Sequence, residues 1–236
     1  MSPTADDYAR IFEAERQVRY DVIDAIEARE AFALDRQRLE DAARVLACPF
    51  KAHAPNWQHG RVLYALLRGY LAARASTEPV HVVDVGTAKG FSALCMQWAL
   101  NDSRSVGDVT SVDVLDPEAA VRRNTVAELG GYLTLRQTLD PWPDAAAIRF
   151  LKATGESAIR AMSRVHFCYL DGKHTFDAVS EEIALLLQRQ EPGDVVVFDD
   201  VQIDGVARAV KAAAGYVRTC YEILPHRRFA IGVRRG

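Results

Sequence analysis

From residue 80 onward, apolar runs of strand length alternate with segments of helical period. No other feature of this 236-residue chain constrains its fold as strongly. "VHVVDVG" reads as a strand and "GFSALCMQWAL" as the helix packed on it. "DVTSVDV" is a second strand, followed by a helix over "PEAAVRRNTVAELG", opened by Pro117 and closed by Gly130. "YLTLRQT" is read as the third strand, with a Pro-rich turn and a short helical stretch to about Met162 behind it. The strand "VHFCYLD", the helix "FDAVSEEIALLLQRQ", the strand "DVVVFDD" and the helix "IDGVARAVKAAAG" continue the alternation. Repeated βα units predict an α/β, Rossmann-like, doubly wound and mostly parallel sheet. The last two apolar runs, "YVRTCYEILP" and "RFAIGVRR", have only a short turn between them. That is too little chain for a parallel crossover, so they close a seven-stranded sheet as an antiparallel hairpin.

Residues 1–74 differ in character. Ile11, Val18, Val22, Ile26 and Leu34 are spaced for interrupted amphipathic helix, and "QHGRVLYALLRGYLAAR" reads as helix again. We expect a helical N-terminal extension over 1–74, serving as a lid and a homodimer contact, and the sheet domain over 75–236. The formal net charge of −3 gives no reason to expect nucleic acid, and the arginines of "PHRRFAIGVRRG" read as a solvated tail. Four isolated cysteines exclude a Cys-x-x-Cys site, with Cys95 and Cys168 read as core residues. The start of the chain lacks the apolar stretch of a signal peptide, and no run reaches membrane-spanning length. A cytoplasmic protein without membrane contact is the expectation.

The loop "VVDVGTAKGFS" joins the first strand to the first helix. Gly86 and Gly90 permit positive φ and close backbone approach, and the free N–H groups of the following helix favour an anion there, to which Ser92 adds a hydroxyl. A tight turn without a ligand is the competing reading. Asp113, ending the second strand, is placed to accept from both hydroxyls of a ribose. In "LKATGESAIRAM", Glu156 or Ser157 is positioned either for an adenine edge or for a helix cap.

Two strand ends carry the remaining chemistry. "CYLDGKH" runs into Asp171, Lys173 and His174, and "VVVFDD" into Asp199 and Asp200. The two strands are spaced as one βαβ unit, so Asp171, Asp199 and Asp200 are expected to converge. Unscreened carboxylates repel one another in a partly dry site, and a divalent cation, Mg²⁺ by its hard oxygen ligands, would compensate them. Helix capping accounts for single acids at these ends but not for the doubled Asp. His174 is the candidate general base, Lys173 the alternative, and a purely structural imidazole the third reading. His53, Trp57 and His59 flank a loop expected near the pocket of the substrate that accepts the reaction, while His81 and His166 read as packed.

Taken together, Asp84–Gly90, Asp113 and the closing hairpin resemble the class I S-adenosylmethionine-dependent methyltransferases. "DVGTAKGFSAL" is similar to the loop of catechol- and caffeoyl-CoA-type O-methyltransferases. That similarity implies a cofactor site including Asp84, Gly86, Gly90 and Ser92, with Ser92 holding the methionine carboxylate. "YLDGKHTFDAVSEEI" with "PGDVVVFDDV" resembles metal-dependent O-methyltransferases acting on sugar hydroxyls of macrolide and aminocoumarin antibiotics, and implies magnesium on Asp171, Asp199 and Asp200. Catechol-type members carry Asn where this chain has Asp200. The implied activity is Mg²⁺-dependent O-methylation of a small hydroxylated metabolite, a sugar or a phenol. An oxidoreductase or hydroxylase on the same sheet and a non-catalytic nucleotide-binding protein are the alternatives.

Overall fold

A computed structural model of the protein describes residues 5–47, 57–123, 131–224 and 227–236. Four helices come first: α1 (Ala5–Arg16), α2 (Asp21–Glu30), α3 (Arg36–Leu46) and α4 (His59–Ala73). Strand β1 (Val80–Val85), helix α5 (Phe91–Ser103) and strand β2 (Gly107–Asp113) follow. Two short strands, β3 (Arg122–Arg123) and β4 (Tyr132–Leu133), pair only with each other. Helix α6 (Leu135–Leu139) and a 3₁₀ turn (Pro143–Ala147) lead to β5 (Arg149–Lys152). The remainder is α7 (Gly155–Ala161), β6 (Phe167–Leu170), α8 (Phe176–Arg189), β7 (Val195–Phe198), α9 (Asp204–Ala212) and the hairpin β8 (Tyr216–Leu224) and β9 (Arg227–Arg234).

The main sheet has seven strands in the order β5-β2-β1-β6-β7-β9-β8. β5, β2, β1, β6 and β7 are parallel, and β9 runs antiparallel to both β7 and β8. The expected Rossmann-like architecture with its closing hairpin is therefore present.

Two expected elements are corrected. The third strand of the main sheet is β5, not "YLTLRQT". Thr134 caps α6 by accepting from the Gln137 N–H while the Gln137 side chain accepts from the Thr134 N–H, so this segment turns helical after two strand residues. The helix expected over 117–130 is absent from its described part. Residues 117–121 form turns, 122–123 form β3, and 124–130 lie outside the described residues.

Successive strand residues face opposite sides of the sheet. Val82, Phe167, Tyr169 and Val197 join one hydrophobic cluster with α2, α3, α4 and α5, whereas Val83, Cys168, Leu170 and Val196 join the other with α8 and α9. Residues 91–100 of α5 are buried without exception, because the helix lies between the sheet on one side and α4 on the other. Among the described residues no helix is long and apolar enough to cross a membrane.

Candidate active site

Strand register places the functional positions. Val85 is paired with Val112 and Leu170, and Leu170 with Phe198, so Gly86, Asp171 and Asp199 are neighbours at the carboxyl edge of the sheet. Ligands of open parallel sheets bind beyond this edge. A cavity of about 890 Å³ opens there, within the usual size of small-molecule sites. Gly86, Ala88 and Asp113 line it, as do Gly155, Glu156, Asp171, Lys173, His174, Asp200 and Arg227.

The glycine loop is built for close approach. Gly86 has φ +102°, and a Cβ there would lie 2.1 Å from the Asp171 carbonyl oxygen, so the end of β1 can meet the end of β6 only through glycine. Gly90, at φ +86°, caps α5 and packs on Leu139 rather than lining the cavity. Asp113 accepts from the Ala88 N–H on Oδ2 and the Leu115 N–H on Oδ1, both at 2.9 Å, and is among the residues lining the cavity.

Asp84 and Ser92 serve the loop from within. The buried Ser92 hydroxyl donates to Asp84 Oδ1 at 2.7 Å, and Ser111 donates to Oδ2 at 2.5 Å. Neither Asp84 nor Ser92 lines the cavity, so the structure does not bring Ser92 to the place expected for a ligand carboxylate. Burial lifts the Asp84 carboxyl to about 7 despite these two donors. At the other end of the cavity Glu156 lines the wall. Ser157 does not; it takes the capping turn of α7, with its N–H bonded to the Thr154 hydroxyl at 3.2 Å and its hydroxyl to the Thr154 carbonyl at 3.1 Å.

The acids divide into two groups. Asp171, His174 and Asp200 offer ligand atoms within 4.8 Å of one another. His174 Nε2 lies 3.2 Å from Asp171 Oδ1 and 3.5 Å from Asp200 Oδ2. Its hydrogen bond to Asp171 raises the imidazole pKa above its ordinary value, against the opposing effect of burial, and Asp200 adds to the rise. Burial pushes the Asp171 carboxyl up, and the neighbouring acids add to the rise.

Asp199 does not join them. It is 4% exposed and accepts from the Tyr169 hydroxyl at 2.7 Å and from Arg227 Nη2 at 3.2 Å. Of the three acids expected to converge, Asp171 and Asp200 meet at His174. Asp199 stands beside Asp171, the two sharing the Tyr169 hydroxyl at 2.7 and 3.4 Å, while the Asp199 carboxylate also meets Arg227. Asp200 has φ +52°, a left-handed conformation uncommon outside glycine and asparagine-like residues.

His59, expected near the pocket, stacks on Tyr169 with ring centroids 5.9 Å apart and lines a small inner cavity with Asp199. Trp57 is buried and stacks on Phe12. His53 lies outside the described residues. His166 is buried as expected, and burial lowers its pKa to about 4, whereas the His81 side chain is partly exposed and bonds Asp108 at 2.6 Å.

Arg227 and Glu182 are among the lining residues that the sequence pattern did not single out. Arg227 belongs to β9 rather than to a solvated tail, and its hydrogen bond to Asp199 brings it to the acids. Glu182, on α8, is 5% exposed, and burial lifts its carboxyl to about 7. A glutamate among the buried apolar positions of that helix was the available signal.

The comparisons agree with this geometry. Residues 83–201, the stretch from β1 through the two aspartates, match a family model described as a methyltransferase domain. The chain belongs to this family and has the fold of the class I S-adenosylmethionine-dependent methyltransferases. Among solved structures it is similar to an O-methyltransferase from Bacillus cereus in complex with S-adenosylhomocysteine. Identity is 13%, the TM-score is 0.58, and 93% of each chain is covered. It is also similar to the O-methyltransferase TomG from Streptomyces achromogenes, involved in tomaymycin synthesis and solved with S-adenosylmethionine. There identity is 15% and the TM-score 0.59, with 92% of this chain and 97% of that one covered. No curated protein matches the sequence.

Proposed function

We propose that the protein is an O-methyltransferase that moves the methyl group of S-adenosylmethionine to a hydroxyl of a small metabolite, a sugar or a phenol, with help from a divalent cation such as Mg²⁺. The observation that carries this reading is one continuous cavity, with Asp113 beside the glycine loop and the Asp171–His174–Asp200 cluster both on its wall.

The residues fit both groups. The cavity is large enough for a nucleoside, Gly86 lets the loop run against the end of β6, and Asp113 on the cavity wall is placed to take ribose hydroxyls. Glu156 lies at the end proposed for adenine. Hard carboxylate oxygens on Asp171 and Asp200 suit Mg²⁺, and Asp199 shares the Tyr169 hydroxyl with Asp171 beside them. The bound cofactor supplies an electrophilic methyl on a sulfonium, and a divalent cation supplies positive charge that makes an acceptor hydroxyl more acidic.

The chain's own groups do the rest. Asp171 and Asp200 fix the acceptor end of the cavity, and His174, hydrogen-bonded to Asp171, takes the hydroxyl proton. Lys173 lines the same wall and is the alternative base. His59, Val62 and Leu63 of α4 line the small inner cavity beside Asp199 and Arg227.

Calorimetric titration with S-adenosylmethionine tests the cofactor reading, and absence of binding at millimolar ligand would end it. Asp171→Asn with Asp200→Asn, or exhaustive chelation, is expected to abolish methyl transfer while cofactor binding persists. Full activity after chelation would remove the cation.

A further inference from the structure

Asp199 and Arg227 differ from the rest of the cluster in a way that changes how the site would hold an ion. We propose that Arg227 withdraws Asp199 from the cation-binding set, so that a divalent ion is held by Asp171 and Asp200 while the Asp199–Arg227 pair stays intact beside it. This rests on the divalent-ion reading above and departs from the resemblance, which implies that both aspartates of the Asp-Asp pair are ligands.

The geometry carries the distinction. Both oxygens of Asp199 are already engaged, although it lies beside Asp171: Oδ1 accepts from the Asp200 N–H at 2.8 Å, and Oδ2 from Arg227 Nη2 at 3.2 Å and from the Tyr169 hydroxyl at 2.7 Å, which also reaches Asp171 Oδ2 at 3.4 Å. Asp199 lines the small inner cavity with His59 and Phe229, whereas Asp200 lines the open one. Arg227 borders both and opens β9, where it pairs with Leu224 of β8.

Pulling Asp199 onto an ion would leave a guanidinium without its carboxylate directly beside a dication, which both desolvation and repulsion oppose. Leaving the pair intact avoids that cost. The paired arginine cancels one of the three acidic charges, and the two that remain match a divalent ion. Mg²⁺ keeps several waters and commonly takes only one or two carboxylates, so two protein ligands suffice. Arg227 is thus a positioning residue: it keeps Asp199 folded back and sets the charge that Asp171 and Asp200 present.

The test follows Mn²⁺ uptake by electron paramagnetic resonance on the full chain, with S-adenosylhomocysteine binding as the check on folding. The double variant D199N/R227M removes the pair while leaving net charge unchanged, and its Mn²⁺ affinity is expected to stay within about threefold of wild type. D200N is expected to weaken Mn²⁺ by about tenfold or more. R227M alone should bind Mn²⁺ more tightly than wild type, because Asp199 is then free to join. A double variant as impaired as D200N, or an R227M variant no tighter than wild type, overturns the proposal.

If the double variant does not fold, Mn²⁺-loaded crystals of the wild type decide. Asp199 still paired with Arg227 supports the proposal, and Asp199 bonded to the ion overturns it. Wild type that binds S-adenosylhomocysteine but no Mn²⁺ removes the divalent-ion reading itself, an outcome distinct from an ion bound through Asp199.

Discussion

Asp84 shows how a single buried carboxyl links the glycine loop to the stability of the molecule. Burial is its dominant influence and lifts it to about 7, while Ser111 and Ser92 pull the other way. An acid whose folded pKa is raised keeps its proton in the native state at pH values where the unfolded chain has lost it. Its contribution to stability is therefore greatest below the unfolded pKa of about 3.9 and declines as pH climbs through the folded value. A gap of roughly three pH units corresponds to about 4 kcal/mol. Asp171 and Glu182 shift in the same direction, so the wild-type slope is a sum, and Asp84→Asn isolates one part of it. Between pH 4 and pH 8 the wild type is expected to lose up to about 4 kcal/mol more than the variant in urea unfolding. Equal slopes would mean that Asp84 is ionised throughout.

His174 is the other residue whose removal is diagnostic. His174→Gln is expected to lower kcat by about 10²- to 10⁴-fold with the S-adenosylmethionine Kd unchanged, and a variant of wild-type kcat would pass the role of base to Lys173. Asp113, Asp171, His174 and Asp200 were legible in sequence because each ends a strand or follows one within a few residues. Asp199 was legible as a strand-end acid, but its partner was not. Arg227 reaches it across β7 and β9, a long-range contact that no local pattern encodes.

At the scale of elements, legibility followed burial. β1, β6 and β7 are buried along their whole length or nearly so and read plainly as apolar runs. β5 is an edge strand with no fully buried residue, so "RFLK" carried too little apolar signal to compete with the alternation of "YLTLRQT". Thr134 and Gln137 held the opposite information as a capping box, and at the amino end of α6 that local chemistry prevailed over strand pattern. The same logic gives a prediction at α8, which directly follows the turn carrying Asp171 and His174. Thr175 caps it by accepting from the Ala178 N–H at 3.4 Å. Thr175→Ala is expected to cost about 1 kcal/mol, read by urea unfolding, and Thr175→Ser to restore most of it. The junction of β1 and β6 is stricter. Gly86→Ala places a Cβ against the Asp171 backbone, so it is expected to cost about 1–3 kcal/mol in backbone strain alone and to weaken cofactor binding at the same time.

The whole molecule is organised around α5, and this decides how the N-terminal helices relate to the sheet. α5 has a single face toward the strands, yet all ten residues from Phe91 to Leu100 are buried, so its remaining faces need cover. α4 provides much of it with Val62, Leu63, Leu66, Leu67 and Leu71, while Arg38 of α3 lies over the Trp98 ring at 4.3 Å. Ile23, Ile26 and Leu39 belong to the same hydrophobic cluster as Val82, Phe167 and Ile231 of the sheet. Cutting the chain at residue 75 would uncover several large apolar side chains at once. Each is worth about 1.5–3 kcal/mol when buried, so the loss is on the order of 10 kcal/mol. A domain of this kind has a total stability of only about 5–15 kcal/mol, and so cannot absorb such a loss. The fragment 75–236 is therefore expected to lack a cooperative thermal transition and to bind no S-adenosylmethionine, although it retains Gly86, Asp113, Asp171 and Asp200. Co-expression with residues 1–74 as a separate chain should restore both, because the missing part is a packing surface rather than a catalytic group. A fragment that melts cooperatively and binds cofactor by itself would show that the sheet and α5 complete their core without the N-terminal helices.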